Sequence, residues 1–299
     1  MDTYRAFKTR LMEHLLKEGL DTRLSLIEKE NGVKKEALVL NPSDGQHASP
    51  IIYLDSFFGL FKDERQSFEE IADCIVRTLK TPVPGFTEGL LTRENILENI
   101  VPTVVSRKEN EPERGAFLCD GFLDLAILYR LVIRDERIGE GLVALPEELL
   151  RQEGVLGEHG MGKEALLQHA IGNMKRLYEP ETYAFSGEFW MLAHKDGSYG
   201  AARILDLKML EALSEPLGGS YFILPSSKHE LILLPEKNIP DPQGLFDIVR
   251  EANRTAVEKE DYLSDSVYYY DRSENAVILY PQKEADERCA DCEIAEKAR

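Results

Sequence analysis

From Gly218 to Pro235 the chain reads Gly-Gly-Ser-Tyr-Phe-Ile-Leu-Pro-Ser-Ser-Lys-His-Glu-Leu-Ile-Leu-Leu-Pro. Two apolar runs of strand-forming residues flank a short polar connection, which is the pattern of a β-hairpin. The neighbouring segments are punctuated just as plainly. Upstream, Leu205 to Leu213 has helical period and is stopped by Pro216 and Gly218-Gly219. Downstream, Asp241-Pro242 is a helix start, with an Asp to cap free N–H groups and Pro in the first turn. Leu245, Ile248, Val249, Ala252 and Ala256 then share one helical face. Val267–Tyr270 and Ala276–Tyr280 read as a strand pair around Asp271–Asn275, and Tyr199–Ile204 as a strand ahead of the first helix. Ser198 to Tyr280 is therefore expected to run strand, helix, two strands, helix, two strands.

The earlier chain supplies similar signals. Tyr4, Phe7, Leu11 and Leu15 are spaced for one face of a helix ending near Gly19. Arg23 to Lys29 and Glu36 to Leu40 are strand-like around Asn31-Gly32, the dipeptide that best accepts the two positive φ angles of a tight hairpin. A third strand is expected over Ile51–Leu54, leading into a short helix with Phe57, Phe58, Leu60 and Phe61. Ser67 to Lys80 forms a strongly one-sided helix, and Pro82, Pro84 and Gly85 break the pattern as far as Asn99. Val101 to Arg107 reads as a strand before a charged loop, and the apolar run Phe122 to Ile133 suits a central strand by its length, with a helix as the alternative that period alone leaves open. Leu145–Leu150 opens a helix with Pro146 in its first turn, Glu164–Tyr178 forms another, and the single Trp190 falls in a strand. The expectation is an α+β protein with mixed or antiparallel sheets, packed helices and two lobes. The N-terminal α+β lobe would span 1–100, the C-terminal α+β lobe 101–281, and a charged, flexible tail 282–299.

Composition narrows the function class. Lys plus Arg number 36 against 54 Asp plus Glu, a net charge of -18 in 299 residues. Such a field repels phosphate backbones and anionic membranes, so neither nucleic acid nor membrane is expected as a partner. No window reaches the roughly 18 apolar residues that a membrane span needs. Met1-Asp2-Thr3-Tyr4-Arg5 lacks the features of a secretory signal, and the four cysteines form no disulfide framework. A cytoplasmic location is expected.

Each chemistry-bearing constellation has a structural explanation beside it. Ser226, Ser227, His229 and Glu230 hold the residue types of nucleophile, base and orienting carboxylate. Alternation along a strand lets Ser227 share a face with His229 while Glu230 points away. Pro-Ser-Ser-Lys is also ordinary turn chemistry. Tyr268 and Tyr270 fall on one face of a strand and Tyr269 on the other, which serves sheet packing or an aromatic contact surface rimmed by Asp271 and Arg272. Arg254, on an amphipathic helix, suits a structural salt bridge. Cys289-Ala290-Asp291-Cys292 has half the spacing of a zinc site, without a second ligand pair. The histidines show no i, i+4 pairing. Gly154 to Gly162 ends in Gly-Lys-Glu, without the hydroxyl of a nucleotide-binding loop. No cofactor is expected.

Several phrases carry a resemblance: Pro50-Ile51-Ile52-Tyr53-Leu54, Phe122-Leu123-Asp124-Leu125-Ala126, Leu224-Pro225-Ser226-Ser227-Lys228-His229-Glu230, Asn253-Arg254-Thr255 and Val267-Tyr268-Tyr269-Tyr270-Asp271-Arg272. Together, over roughly Tyr4 to Tyr280, the chain resembles an uncharacterised family of anaerobic Gram-positive gut bacteria, known only as a domain of unknown function. From about Val101 onward the order of elements is also similar to a second uncharacterised family of Gram-positive bacteria. Neither resemblance implies an activity, a cofactor or catalytic residues. The reading favoured on the residues is a non-enzymatic binding protein for a protein or small molecule. Its candidate contact surface is Ser226, Ser227, Lys228, His229, Glu230, Tyr268, Tyr270, Asp271 and Arg272, with Arg254. The alternatives are a hydrolase-type enzyme using His229 with Ser227 or Glu230, and an acidic inhibitor or decoy of a basic partner.

Overall fold

Local rules account for most of the elements seen in the computed structural model, which describes residues 3–41, 51–80, 90–110, 119–135, 139–158, 160–185 and 188–282. The backbone divides into one unit of Met1–Ile96 with Asp135–Ile138 and another of Leu97–Arg134 with Gly139–Arg299.

In the first unit, helix α1 (Tyr4–Lys17) starts at Thr3, whose hydroxyl accepts from the Ala6 N–H at 3.3 Å. Strands β1 (Thr22–Glu28) and β2 (Lys34–Leu40) pair antiparallel around Asn31 and Gly32, at φ 60° and 63°. Strand β3 (Ile51–Tyr53) adds to β2, giving the order β1-β2-β3. Helices α2 (Leu54–Lys62) and α3 (Phe68–Lys80) follow. The start of α3 is a reciprocal cap: the Glu70 N–H donates to the Ser67 hydroxyl, and the Glu70 carboxylate accepts from the Ser67 N–H at 2.8 Å. Phe7, Leu11, Leu38, Ile52, Phe68, Ile71 and Ile75 close the core. Each such side chain buried contributes about 1.5–3 kcal/mol.

The division after Ile96 falls within α4 (Arg93–Asn99), which runs directly into β4 (Ile100–Ser106) of the second unit. Strands β5 (Cys119–Phe122), β6 (Leu125–Asp135) and β7 (Gly139–Ala144) complete a sheet with β6 at its centre. Helices α5 (Glu147–Gln152) and α6 (Lys163–Leu177) follow, and Asn173 on α6 donates to the Leu97 and Ile100 carbonyls at 2.8 and 2.9 Å. The remaining elements are β8 (Pro180–Phe185), β9 (Phe189–His194), α7 (Leu207–Leu217), β10 (Tyr221–Ser227), β11 (Glu230–Pro235), α8 (Gly244–Thr255), β12 (Tyr268–Asp271) and β13 (Ala276–Leu279). They build a sheet of order β13-β12-β10-β11-β9-β8. The protein is α+β and its sheets are antiparallel, with none of the parallel pairing that a mixed sheet would show among these strands.

Several expectations are corrected. Tyr199–Ile204 is not a strand; Gly200–Leu205 is a buried 3-10 turn. A run buried on every side has no period by which to tell a strand from a helix. Helix α4 lies in the stretch that reads as broken as far as Asn99, and β5, β7 and β8 are not anticipated by the sequence. Helix α8 begins at Gly244, two residues after Pro242, because the Asp241 carboxylate is used in a turn that accepts from the Gln243 N–H at 3.1 Å. Its buried face is Leu245, Phe246 and Val249, while Ile248 is 59% exposed. The Pro82–Gly85 break, His47 and His159, the far end of the charged loop, and the tail from Lys283 with Cys289 and Cys292 lie outside the described residues. Among the described residues no helix is long and apolar enough to cross a membrane.

One polar contact joins the two sheets of the second unit. Asp124, in the β5–β6 turn, accepts from the Tyr268 hydroxyl at 2.7 Å and from the Ser264 and Ser266 hydroxyls at 2.5 and 2.9 Å. Burial, and then Asp124, push the Tyr268 hydroxyl well above the usual tyrosine range, so it stays a donor. Tyr268→Phe removes one charge-assisted bond and is expected to cost about 1.5–3 kcal/mol by urea unfolding. An unchanged midpoint would show that the hydroxyl contact is not part of what holds the sheets together.

Candidate functional site

The β10–β11 hairpin turns at Lys228 and His229, with Ser227 opposite Glu230 and a register shift between Pro225 and Ser227. A proline fits here because β12 stops at Tyr268, opposite Ile223, leaving no neighbour on that side to ask Pro225 for a donor. The tip is tucked in. Lys228 is 4% exposed, its N–H donates to the Asp261 carbonyl at 2.9 Å, and its own carbonyl accepts from the Ala201 N–H at 3.3 Å. The ammonium lies 3.1 Å from the Asp261 carboxylate and 3.1 Å from the Glu260 carbonyl. It also stands 5.5 Å from the centre of the Tyr199 ring, and the Arg130 guanidinium stands 5.2 Å from the same ring. Arg130 is buried and donates to the Thr103 hydroxyl at 3.0 Å.

His229 faces this cluster. Its Nδ1 accepts from the Tyr199 N–H at 3.1 Å, which makes Nε2 the protonated nitrogen, donating to Asp261 at 3.3 Å. Tyr199 adopts φ 42°, a left-handed conformation that costs a non-glycine residue about 1–3 kcal/mol. Gly200 follows because a Cβ there would lie 2.4 Å from the His229 carbonyl oxygen and 2.6 Å from the His194 nitrogen. Strand end, 3-10 turn and hairpin tip therefore meet at a point where only glycine fits.

Beside the tip is a groove of about 390 Å³. Leu224, Pro225 and Ile232 of the hairpin form one wall, and Ile248, Val249 and Ala252 of α8, with Ala256 at its C-terminal cap, form the other. Ser226, Ser227, Glu230, Glu258 and Asp261 supply the polar rim, on which the Ser226 hydroxyl donates to Glu230 at 2.8 Å. Ion pairing uses some of the nearby charge: Arg254 holds Glu251 at 2.7 Å and Arg250 holds Asp247 at 2.9 Å.

The proposed contact residues do not form one surface. Ser226, Ser227 and Glu230 reach the groove, Lys228 and His229 lock the tip, and Arg254 makes a salt bridge on exposed helix. Tyr268 and Tyr270 are fully buried, which removes them from any contact surface. Tyr270 stacks on Tyr221 at 5.0 Å and donates to Asn275. Asp271 instead holds the β12–β13 turn through Ser273 at 2.7 and 2.8 Å, bonds that keep its carboxyl below the usual range, and the Arg272 N–H donates to Ser220. Both lie by the start of β10, six residues and about 20 Å from the tip at 3.3 Å per residue. The hydrolase pairings are not formed: the Ser227 hydroxyl accepts from the His229 backbone N–H at 3.1 Å, and Glu230 takes Ser226. Among the described residues no group of three or more His, Cys, Asp or Glu could hold a metal.

A family model described as "Family of unknown function (DUF5688)" matches residues 4–186 and 180–272. The chain belongs to this family. The DUF5688 match takes in both units and every residue of the Tyr199–Lys228–Asp261 cluster, and it ends in the β12–β13 turn. No curated protein and no solved structure matches the chain. Tyr199, Asp261 and Arg130 escape notice in this DUF5688 sequence because they come from separate segments. The one local signal was the charged run Glu258-Lys259-Glu260-Asp261.

A buried histidine, His194, gives the protein a pH dependence. His194 stacks on Tyr178 with ring centres 4.9 Å apart, and its Nδ1 donates to the Ser198 carbonyl at 2.7 Å. Burial, then the nearby Arg203, push it down from 6.5 to about 4. The unfolded chain therefore binds a proton that the folded chain refuses as pH falls below 6.5. The resulting stability is full above that value and is lost towards pH 4, by about 3 kcal/mol at most. The urea midpoint of the wild type should fall across that window more steeply than that of His194→Gln. Equal slopes, or a His194 resonance titrating near 6.5, would contradict this.

Proposed function

We propose that this is a non-enzymatic binding protein whose ligand lies in the groove between the β10–β11 hairpin and α8. The ligand combines an apolar body with a cationic group. The observation that carries this reading is the groove itself, apolar on both walls with Glu230, Glu258 and Asp261 on its rim. Its size falls in the range of roughly 300–1,000 Å³ typical of ligand sites, and such sites set a few polar groups in an apolar lining. The arrangement of His229 supports binding over hydrolysis. Both ring nitrogens are engaged, so to act as a general base the imidazole would have to give up the Tyr199 N–H or reverse its bond to Asp261. A cytoplasmic setting is part of the proposal, and Cys74 and Cys119 as thiols fit it.

A naphthalene sulfonamide carrying a primary amine, such as dansylcadaverine, is a direct probe. Its fluorescence should titrate to saturation at one site. Affinity should weaken at least about tenfold in Ile248→Asp, a change at an exposed position, and also with a neutral analogue lacking the amine. Equal binding to wild type and Ile248→Asp would contradict the reading. So would ester hydrolysis by the wild type that disappears in His229→Ala.

A further inference from the structure

We infer that the occupant of this groove is a cationic amphipathic helix of a protein partner, an inference that rests on the binding reading above. Ile248 and Ala252 on α8, and Ala256 at the cap that ends it, line the groove at intervals of four and are exposed. Residues four apart lie on one helical stripe, and eight residues at 1.5 Å each make it about 12 Å long. That is a little over two turns, the reach over which a docking helix places anchors at i, i+3 or i+4, and i+7.

The side chains on the stripe favour a helix over a small molecule. Ala252 and Ala256 are short, which lets a second helix approach closely, and Ile248, 59% exposed, stands out as a knob at the mouth. A small-molecule site buries roughly 70–90% of its ligand, and a wall that projects into solvent does not enclose one in this way. The sign of the partner's charge follows from the rim. Asp261 is engaged by Lys228 and His229, whereas among the described residues Glu258 is exposed and makes no ion pair, and Glu230 accepts from the neutral Ser226 hydroxyl and pairs with no cation. Two carboxylates thus flank the apolar stripe on a chain whose net charge is -18. Lysine or arginine beside the apolar face of the incoming helix would meet them, and steering by the overall charge would speed the encounter.

The test uses synthetic peptides of about fourteen residues, long enough for a marginal helix. One carries leucines on a single helical face flanked by lysines, one has the same composition with the leucines scattered around the helix, and one replaces the lysines by glutamates. The amphipathic lysine peptide should bind by fluorescence anisotropy and displace the dansyl amine. Its affinity should fall about tenfold in Ile248→Asp and severalfold in Glu258→Lys, and remain unchanged in Glu164→Lys, an exposed charge reversal on α6. Equal binding of the scattered peptide, or an equal loss in Glu164→Lys, would reduce the effect to bulk charge and overturn the inference. Dansyl amine bound in the groove with no peptide binding would overturn the inference and leave the binding reading standing. Failure of both probes would remove both.

Discussion

A buried ammonium group holds the candidate site together. Taking Lys228 out of water costs several kcal/mol unless the charge is paired and its donors are satisfied. Here Asp261 supplies the opposite charge, the Glu260 carbonyl a further acceptor and the Tyr199 ring a polarizable face. The same two segments are bound a second time by the backbone, from the Lys228 N–H to the Asp261 carbonyl. This double link pins the hairpin tip to the turn that follows α8. The hairpin and α8 are the two walls of the groove, so the link sets the groove's width at its polar end.

The cluster also explains why an imidazole, a carboxylate and hydroxyls can sit together without forming a catalytic set. A reacting histidine needs one nitrogen for an orienting group and the other for the substrate or nucleophile. In His229 the second nitrogen is held by the backbone of Tyr199, a residue kept in a strained left-handed conformation. Strain of that kind persists where the surroundings over-determine it. Gly200, the Arg130 guanidinium and the Lys228 ammonium are those surroundings. Further along the sheet, Asp124 and its three hydroxyl donors hold the adjoining sheet against β12. The groove thus has a hydrogen-bonded back and an exposed apolar front.

Much of the fold was legible from the residues. Asn31-Gly32 named the first hairpin and its positive φ angles, the apolar spacing of Ser67–Lys80 marked a strongly one-sided helix, and Phe122–Ile133 contained the central strand. The Gly218–Pro235 hairpin and the alternation of Tyr268 and Tyr270 were readable as well. Short strands such as Cys119–Phe122 and Gly139–Ala144 carry glycine and polar residues in place of alternation, and α4 buries only Ile96. The 3-10 turn of Gly200–Leu205 is buried on all sides and so has no period. For the site, turn chemistry pointed to Ser226–Glu230 but implied an exposed tip. Burial of the tip depends on Asp261 and Tyr199, each about thirty residues away along the chain, and no local pattern announces such a meeting. Alternation paired Tyr268 with Tyr270 but gave no means of knowing that a distant aspartate covers that face.

The central claim is that the Lys228–Asp261 pair couples hairpin to turn. A double-mutant cycle with Lys228→Met, Asp261→Asn and the double variant measures it directly by equilibrium urea unfolding. The account predicts a favourable coupling of about 1–3 kcal/mol, beyond the value typical of exposed ion pairs. A coupling indistinguishable from zero would contradict it, since the tip would then be held by packing alone and the buried charge would have no part in shaping the groove.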